Sequence, residues 1–467
     1  MMKKKNKKIH FEISERKVLL RVFDIFFVLF SLSVVSAVFE FNYFSFSGTN
    51  YYWSIVLALY LTVFGSIFEM YNLLIASKQL EGVRSVILTS STTVFFYLLT
   101  PVLTPSLPSN RFQILVFYFT VLASLLFWRI IYVKFFASHR FLKSAILVCD
   151  KSQLNQLVEG LGNVDPHYRI VGFVDLNESE SVDCEKSVIK EIKLNRLSDF
   201  LANNSISEIV VASGKTEFIT KNLYENLIQF LQSGVVIREY YQLYEELTQR
   251  IPVQYLSRDF HLYFPFSRSN QNRLYLISIR IFEIVLSIIG LTIAFMFFPL
   301  LILGNLIANR GPVFYTQERV GQNGKIFNIY KYRTMVYNAE IQGGAVFAMV
   351  NDLRVTPFGK FMRKTRIDEF PQFFNILKGD MSFIGPRPER PVFTQIISEK
   401  MPFYETRHII KPGLTGWAQV NYNYGTTLDD SLVKLQYDLY YIKYRNIFMD
   451  IDIMLKTLTT VLFYRGH

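Results

Sequence analysis

The chain has 467 residues, of which 51% are hydrophobic and 16% aromatic, and its formal net charge is +12. This length leaves room for about two to four domains, and the apolar excess, which is concentrated in a few long runs, indicates a membrane protein. Basic residues beside membrane spans orient them and attract anionic lipid headgroups. No nucleic-acid-binding motif accompanies the positive charge, so we expect no nucleic-acid partner.

Residues 1–140 contain apolar segments that predict four transmembrane helices. The segments cover residues 18–39, 51–68, 83–103 and 112–136. Each is close to the ~20 residues that cross ~30 Å of hydrocarbon. Lys and Arg precede the first segment, follow the fourth and occur in the middle connection, whereas the loops 41–50 and 104–110 contain neither. The positive-inside rule therefore predicts four spans with both termini in the cytoplasm.

Two charged residues lie inside the first apolar segment. Arg21 and Asp24 are three positions apart and therefore share one face of a helix. We expect an ion pair whose charges reach towards the membrane interface. The alternative is a functional polar site within the bilayer.

Residues 141–265 are less hydrophobic, and strand patterns alternate with helical ones. The predicted strands are 144–149, 170–175, 208–212 and 235–238, and the predicted helices are 153–161, 197–203 and 218–232. This alternation predicts a small parallel α/β sheet of Rossmann type, facing the cytoplasm. A dinucleotide site would need glycines after the first strand, where this chain has Cys149-Asp150-Lys151-Ser152. We therefore expect a degenerate Rossmann-like domain with a structural or regulatory role.

A fifth apolar run lies within residues 274–309 and contains Pro299. Its length predicts another span, but Arg and Lys flank it on both sides, which places both flanks in the cytoplasm. Proline removes a helical hydrogen bond and favours a kink. A re-entrant helix that bends near Phe298-Pro299 and returns to the same face satisfies both observations. A third, mainly α-helical domain, monotopic in the membrane, would then cover residues 266–467.

Residues 361–391 carry the strongest chemical signal. Asp368 and Glu369 are adjacent and lie among several Arg and Lys residues. Such a mixture suits a phosphate-handling site, where cations hold the substrate and a carboxylate attacks it or carries a metal. Alone, an Asp-Glu dipeptide is more often a solvated helix start, so the assignment depends on the surrounding motifs.

Eight short motifs occur in order over the last part of the chain. They are Gly311-Pro312-Val313-Phe314, Gln317-Glu318-Arg319-Val320-Gly321, Lys331-Tyr332-Arg333-Thr334-Met335, Asp352-Leu353-Arg354-Val355-Thr356, Arg366-Ile367-Asp368-Glu369-Phe370-Pro371-Gln372, Gly379-Asp380-Met381-Ser382, Gly385-Pro386-Arg387-Pro388 and Lys411-Pro412-Gly413-Leu414-Thr415-Gly416-Trp417. In these motifs the chain resembles the bacterial sugar transferase family, the polyprenyl-phosphate hexose-1-phosphate transferases. The whole chain is similar to long members with four transmembrane helices and a Rossmann-like domain.

The resemblance implies a mechanism and assigns residues to it. It implies that Asp368 attacks the β-phosphate of a UDP-sugar, that UMP leaves, and that undecaprenyl phosphate then accepts the phosphosugar. Glu369 would assist near Mg²⁺ or as a proton acceptor, and both carboxylates are candidate Mg²⁺ ligands. The substrate-binding positions implied are Lys331, Arg333, Arg363, Arg387 and Asp438. The protein would lie in the bacterial inner membrane among its lipids, with the catalytic domain on the cytoplasmic face, and it would begin exopolysaccharide, capsule or O-antigen synthesis.

The chain departs from the family pattern in two places. Phe298 replaces the Ser that often precedes the helix-breaking Pro, and Arg366-Ile367 and Phe370-Pro371 replace the usual Ser-Leu and Leu-Pro around the dyad. Two other functions stay open at this point, a non-catalytic membrane scaffold and an NAD-dependent UDP-sugar epimerase or dehydratase. The oligomeric state is also open, with a homodimer as one alternative.

Overall fold

The computed structural model describes residues 13–39, 41, 43–44, 50–77, 79–136, 143–161, 168–175, 189–204, 206–212, 220–253, 272–336, 352–401, 403–422 and 427–462. The chain forms two compact units, Met1–Thr248 and Gln249–His467. The domain boundaries predicted at residues 140 and 265 both lie outside the described residues, so the division into three domains stays a prediction.

The first unit begins with a bundle of apolar helices. Its helices are α1 (Ile13–Val38), α2 (Tyr51–Ile67), α3 (Leu73–Ser77), α4 (Gln79–Leu99) and α5 (Phe112–Ile131). A helix therefore occupies each of the four predicted apolar segments. By length and composition α1, α4 and α5 could cross a membrane, whereas α2 is apolar but has only 17 residues. A fourth helix long enough to cross lies in the second unit, at Arg273–Asn309.

The prediction that Arg21 and Asp24 form an ion pair within α1 is wrong. Asp24 instead pairs with Arg129 of α5, whose Nη2 lies 2.8 Å from Oδ2 of Asp24. The Arg21 guanidinium lies over the ring of Tyr71, 5.1 Å from its centroid. Asp24 and Arg129 are both buried, and a buried cation and carboxylate favour pairing across helices over reaching for the interface. The pair therefore joins the first helix of the bundle to the last.

A parallel sheet follows the bundle and confirms the predicted alternation. Its strands are β1 (Lys143–Cys149), β2 (Tyr168–Asp175), β3 (Lys190–Glu191), β4 (Glu208–Val211) and β5 (Val236–Glu239), and the helices are α6 (Leu154–Leu161), α7 (Leu197–Asn203), α8 (Lys221–Gln232) and α9 (Tyr240–Thr248). The strand order is β3-β2-β1-β4-β5, and every neighbouring pair is parallel. The central strand β1 is buried over five consecutive residues, as a sheet covered on both faces requires.

The second unit begins with α10 (Arg273–Gly304), which a π-helical turn extends to Asn309. Pro299 lies inside this helix and does not end it. Phe298 stacks on Phe314 and Tyr332, with ring centroids 5.8 and 6.3 Å apart. Aromatic packing therefore occupies the position where the related family often has a Ser hydroxyl.

The rest of the second unit combines short strands with helices. An antiparallel hairpin pairs β6 (Phe314–Val320) with β7 (Ile326–Tyr332), and a parallel pair joins β8 (Ser382–Ile384) to β9 (Gly413–Thr415). The helices are α11 (Pro357–Lys364), α12 (Gln372–Lys378), α13 (Pro391–Lys400), α14 (Trp417–Asn421), α15 (Leu428–Tyr444) and α16 (Ile447–Leu462). One core lies around α15, and smaller ones lie between α10, α11 and the hairpin.

Candidate active site

The Asp368-Glu369 dyad lies on a tight 3₁₀ turn, Ile367–Glu369, between α11 and α12. Arg366 starts the turn in a left-handed conformation, with φ of 59°, which ends the path of α11 and redirects the chain. Ile367 and Phe370 flank the dyad and pack into the cluster that contains Leu301 of α10. The two carboxylates are therefore fixed by apolar packing on either side of them.

Glu369 is surrounded by cations. Its carboxylate oxygens lie 3.3 Å from Nζ of Lys331, 3.5 Å from Nη1 of Arg366 and 3.6 Å from Nη2 of Arg387. Burial alone would raise the pKa of Glu369, but the charges of Lys331 and Arg387 outweigh it and hold the pKa well below its usual range. Glu369 is therefore ionised at neutral pH and organises the three bases around it.

Asp368 has the opposite electrostatic character. It is 7% exposed, and its Oδ1 is buried without a hydrogen-bond partner among the described residues. Burial, followed by the neighbouring charge of Glu369, raises the pKa of Asp368, and Lys331, Arg363 and Arg366 moderate the rise. Two adjacent carboxylates thus have pKa values displaced in opposite directions, an arrangement typical of catalytic sites.

Lys331 reaches the dyad from the end of β7. Its side chain is 19% exposed, and burial lowers its pKa, an effect that the charge of Glu369 opposes. The buried Asn375 of α12 fixes the strand beside it, because its Oδ1 accepts from the Tyr330 N–H at 3.1 Å and its Nδ2 donates to the Asn328 carbonyl at 2.7 Å. The helix that follows the dyad therefore also holds the strand that supplies Lys331.

The other expected phosphate-binding cations differ in their surroundings. Arg363 donates from Nε to Oγ1 of Thr334 at 2.9 Å and is close enough to Asp368 to influence its pKa. Arg333 is buried, and its guanidinium donates to backbone carbonyls of Pro312, Met335 and Asn309. The structure thus brings Lys331, Arg363 and Arg387 to the dyad, whereas Arg333 fastens the exit of α10 to the end of β7. The phosphate-binding role of Arg333 stays a prediction.

Asp438 pairs with Arg407, a cation other than the three that surround Glu369. It is 2% exposed on α15, and its Oδ2 accepts from Nη2 of Arg407 at 2.7 Å. Burial raises the pKa of Asp438 to about 6 even though Arg407 opposes the rise. Sequence reasoning gave no role to Arg407, because a single Arg in a short 3₁₀ segment, Tyr404–Ile409, carries no motif of its own.

The dyad also offers carboxylate ligands for a divalent metal. Among the described residues, no group of three or more His, Cys, Asp and Glu side chains could hold a metal. Asp368 nevertheless has a buried oxygen beside Glu369 that no described residue hydrogen-bonds. Mg²⁺ commonly rests on one or two carboxylates together with substrate phosphates and water, so these two side chains fit Mg²⁺ that arrives with a diphosphate.

Comparison with known proteins gives the same assignment as the motifs. The family model described as bacterial sugar transferase matches residues 274–464. A Bacillus subtilis protein, provisionally named an undecaprenyl-phosphate N-acetylgalactosaminyl 1-phosphate transferase, is 48% identical over 142 residues, which are 30% of this chain and 79% of the relative. The chain belongs to the bacterial sugar transferase family.

Two further relatives extend the comparison. The UDP-N-acetylgalactosamine-undecaprenyl-phosphate N-acetylgalactosaminephosphotransferase of Aeromonas hydrophila is 51% identical over 152 residues, 32% of this chain. That alignment spans only 36% of the relative's own length. The galactosyl transferase CpsE of Streptococcus agalactiae is 29% identical over 363 residues, covering 72% of this chain and 76% of the relative. The similarity to CpsE therefore extends beyond the catalytic section into the N-terminal half.

Proposed function

We propose that the protein transfers hexose-1-phosphate from a UDP-sugar to undecaprenyl phosphate and releases UMP, as the first membrane step of exopolysaccharide, capsule or O-antigen synthesis. The observation that carries this proposal is the buried Asp368, with a carboxylate oxygen that has no hydrogen-bond partner among the described residues, beside an ionised Glu369 in a ring of cations. The names of the relatives support the substrates. A scaffold would have no need for such a ring, and no glycine-rich turn follows β1 to favour an NAD enzyme.

In the first step an oxygen of ionised Asp368 attacks the β-phosphorus, which carries the sugar. The bond between that phosphorus and the bridging oxygen breaks, and its electron pair leaves on UMP. Carboxylate and diphosphate repel each other, so the reaction needs positive charge around the phosphates. Lys331, Arg363 and Arg387 provide it, and Arg is suited to bidentate contact with phosphoryl oxygens. Mg²⁺ held by Asp368 and Glu369 would neutralise further charge on the diphosphate when bound.

In the second step a phosphate oxygen of undecaprenyl phosphate attacks the same phosphorus. The acyl-phosphate bond to Asp368 breaks, the carboxylate is restored, and the lipid diphosphate sugar leaves. One diphosphate linkage is exchanged for another, so the reaction is nearly isoenergetic and requires no ATP. Glu369 keeps the cations in place in both steps, because its lowered pKa keeps it charged throughout.

We propose an N-acetylhexosamine as the transferred sugar. The two relatives with 51% and 48% identity are named for N-acetylgalactosamine, whereas those named for glucose are 37–40% identical. UMP release should be measured with purified protein, undecaprenyl phosphate and a panel of UDP-sugars. We expect UDP-N-acetylgalactosamine to give the highest kcat/KM, by about tenfold or more over UDP-glucose. A preference for UDP-glucose would contradict the sugar assignment, and no UMP release from any donor would contradict the transferase itself.

We also propose that α10 enters the membrane and returns to the cytoplasmic face without crossing. Its contacts with the catalytic fold begin at Tyr275, whose hydroxyl donates to Asp450 at 2.6 Å, and end at Gly304, which faces the ring of Phe358. Midway, a Cβ on Gly290 would lie 2.6 Å from the Phe373 ring, so only glycine permits that approach. The ~20 apolar residues that cross a bilayer would have to leave the catalytic fold behind on one side of the membrane, whereas one face of α10 packs on that fold from its first turn to its last.

The opposite face of α10 supplies the membrane contact. Its large apolar side chains are exposed, including Ile281 at 58%, Ile288 at 52% and Phe295 at 78%. Arg280 secures the covered face, because its guanidinium donates to the carbonyls of Ile376 and Leu377 at 2.7 Å each. A helix with one lipid-facing side and one protein-facing side suits insertion beside a catalytic domain that rests on the bilayer.

Cysteine labelling tests this topology. In a background without Cys149 and Cys184, we expect Arg273→Cys, at the exposed start of α10, and Lys325→Cys, at an exposed position after it, to react with a membrane-impermeant maleimide only after permeabilisation. Asn110→Cys, in the loop before α5, is the control and should react in intact cells if the positive-inside prediction holds. Reaction of Lys325→Cys in intact cells would place the catalytic section outside and refute re-entry.

For the α/β section we propose a Rossmann-like fold with no bound dinucleotide. The strand order matches the first five strands of the doubly wound nucleotide-binding sheet. The turn after β1, however, starts at Asp150, whose Oδ1 accepts from the Ser152 N–H at 2.9 Å. This cap occupies the position where a glycine loop would admit a pyrophosphate, so the section has a structural or regulatory role.

A further inference from the structure

Arg387 lies in a turn that is held in place by hydrogen bonds from other segments. Pro386 and Pro388 flank it and have no N–H to donate. Instead, consecutive carbonyls of the segment accept hydrogen bonds from outside it. The donors are the Gly413 N–H to Pro386 at 2.9 Å, Arg407 Nη2 to Arg387 at 3.0 Å, Arg319 Nη1 to Pro388 at 2.9 Å and the Val320 N–H to Glu389 at 2.9 Å. The bond to the carbonyl of Arg387 itself therefore comes from the Arg407 side chain.

Arg407 is itself held firmly. It is 4% exposed, its Nη1 donates to the Tyr404 hydroxyl, and its guanidinium lies 5.0 Å from the Tyr404 ring centroid. Its Nη2 donates both to the Arg387 carbonyl and to Asp438. The planar fork of Arg can make these bonds simultaneously, which a lysine ammonium at the end of a flexible chain cannot do in the same geometry.

Asp438 is deeply buried on α15. At 2% exposure, its carboxylate has Arg407 as its charged partner at 2.7 Å. Burying an ion pair is expensive, and an apolar pair of similar volume would often be as stable. Arg407 also donates to the Arg387 carbonyl. The buried pair can therefore serve to hold the backbone of Arg387 in position.

We infer that Arg407 and Asp438 are positioning residues that fix Arg387 for the diphosphate of the donor. Asp438 holds the guanidinium of Arg407, and Arg407 holds the backbone carbonyl of Arg387. The guanidinium of Arg387 is thereby placed 3.6 Å from Glu369. The inference rests on the proposed transferase function. It gives Asp438 a role that acts through Arg407, in place of direct substrate contact.

A double-mutant cycle tests this inference in the full-length protein. Arg407→Lys keeps the charge beside Asp438 but removes the fork, so we expect KM for the UDP-sugar to rise about tenfold with a smaller change in kcat. Arg387→Ala should raise KM by at least as much. In the Arg387→Ala background, Arg407→Lys should then change KM by less than about twofold, because the residue it positions is gone.

Two additions keep the test decisive. Arg445→Lys is the matched control, since Arg445 is also buried and donates to the Tyr275 hydroxyl at 3.3 Å, and its effect should combine additively with Arg387→Ala. If Arg407→Lys does not fold, Tyr404→Phe removes one of its partners while preserving the packing, and should raise KM about threefold only when Arg387 is present.

Binding of UDP, measured by calorimetry, separates this inference from the proposed function. UDP binding needs no turnover, so Kd should follow the same non-additive pattern as KM even if no sugar phosphate were transferred. Absence of UMP release by the unmodified protein would refute the transferase. Additive effects of Arg407→Lys and Arg387→Ala on Kd, or an unchanged Kd in folded Arg407→Lys, would overturn the positioning role.

Discussion

Replacing Asp368 with Asn is expected to lower UMP release by at least about a thousandfold, because an amide cannot form the bond to phosphorus. The substitution is nearly isosteric, and Oδ1 of Asp368 has no hydrogen-bond partner among the described residues, so the fold should tolerate it. The measurement is initial-rate UMP release with purified protein. A mass increase of one sugar phosphate, trapped on the peptide that contains residue 368 of the unmodified protein and missing from the Asn variant, would identify the attacked position.

The control for this prediction is Asp150→Asn, which lies in the α/β section and should leave turnover nearly normal. The raised pKa of Asp368 adds a pH test, because only the ionised carboxylate attacks. As pH falls through that raised pKa, kcat/KM should fall with it, and the acid limb should lie above pH ~4, where an unperturbed aspartate titrates. Substantial UMP release by the Asn variant would refute the nucleophile.

Replacing Glu369 with Gln should have the second largest effect, lowering kcat/KM by about a hundredfold to a thousandfold. The neutral amide leaves the charges of Lys331 and Arg387 uncompensated, so these cations repel each other and lose their common anchor. Breaking buried pairs of this kind should also reduce the free energy of unfolding by roughly 3 kcal/mol. Both effects can be measured, as UMP release and as the midpoint of thermal unfolding.

Glu208→Gln separates the two consequences. Glu208 is 3% exposed and accepts from the Tyr168 hydroxyl at 2.6 Å in the α/β section. Its replacement should therefore lower thermal stability and leave kcat/KM close to normal. If Glu369→Gln retained more than about a tenth of normal kcat/KM, organisation of the cations by Glu369 would not be needed for turnover.

Much of the fold could be predicted because the relevant signals are local in sequence. The strand and helix alternation between residues 143 and 239 follows from apolar runs of characteristic length, and the structure confirms it. The two-residue strand β3 and the helix α9 were missed, since two residues carry no periodicity and α9 follows β5 without a break. The second apolar helix, α2, ends at 17 residues, where hydropathy alone suggested a full span.

Contacts between distant residues could not be predicted in this way. Asp24 and Arg129 are 105 positions apart, and a single sequence gave no reason to prefer that pair over Arg21, three positions away. The Asp368-Glu369 dyad was found because its motif is contiguous, but the link from Arg407 to the Arg387 carbonyl depends on how a 3₁₀ segment meets a proline turn. Tertiary packing determines which distant residues become partners, and no local sequence pattern predicts that packing.

The hydrogen bonds of Arg333 connect α10 to the hairpin of β6 and β7. The Arg333 guanidinium donates to the carbonyl of Asn309, at the exit of α10, and to the carbonyl of Met335, four residues beyond Lys331, and the Asn309 amide donates in return to the Arg333 carbonyl at 3.0 Å. These hydrogen bonds join the exit of α10 directly to the end of the hairpin that carries Lys331. If α10 inserts into the bilayer as proposed, a tilt imposed on it by bilayer thickness or by a detergent would be transmitted through these bonds to Lys331, beside the Asp368-Glu369 dyad.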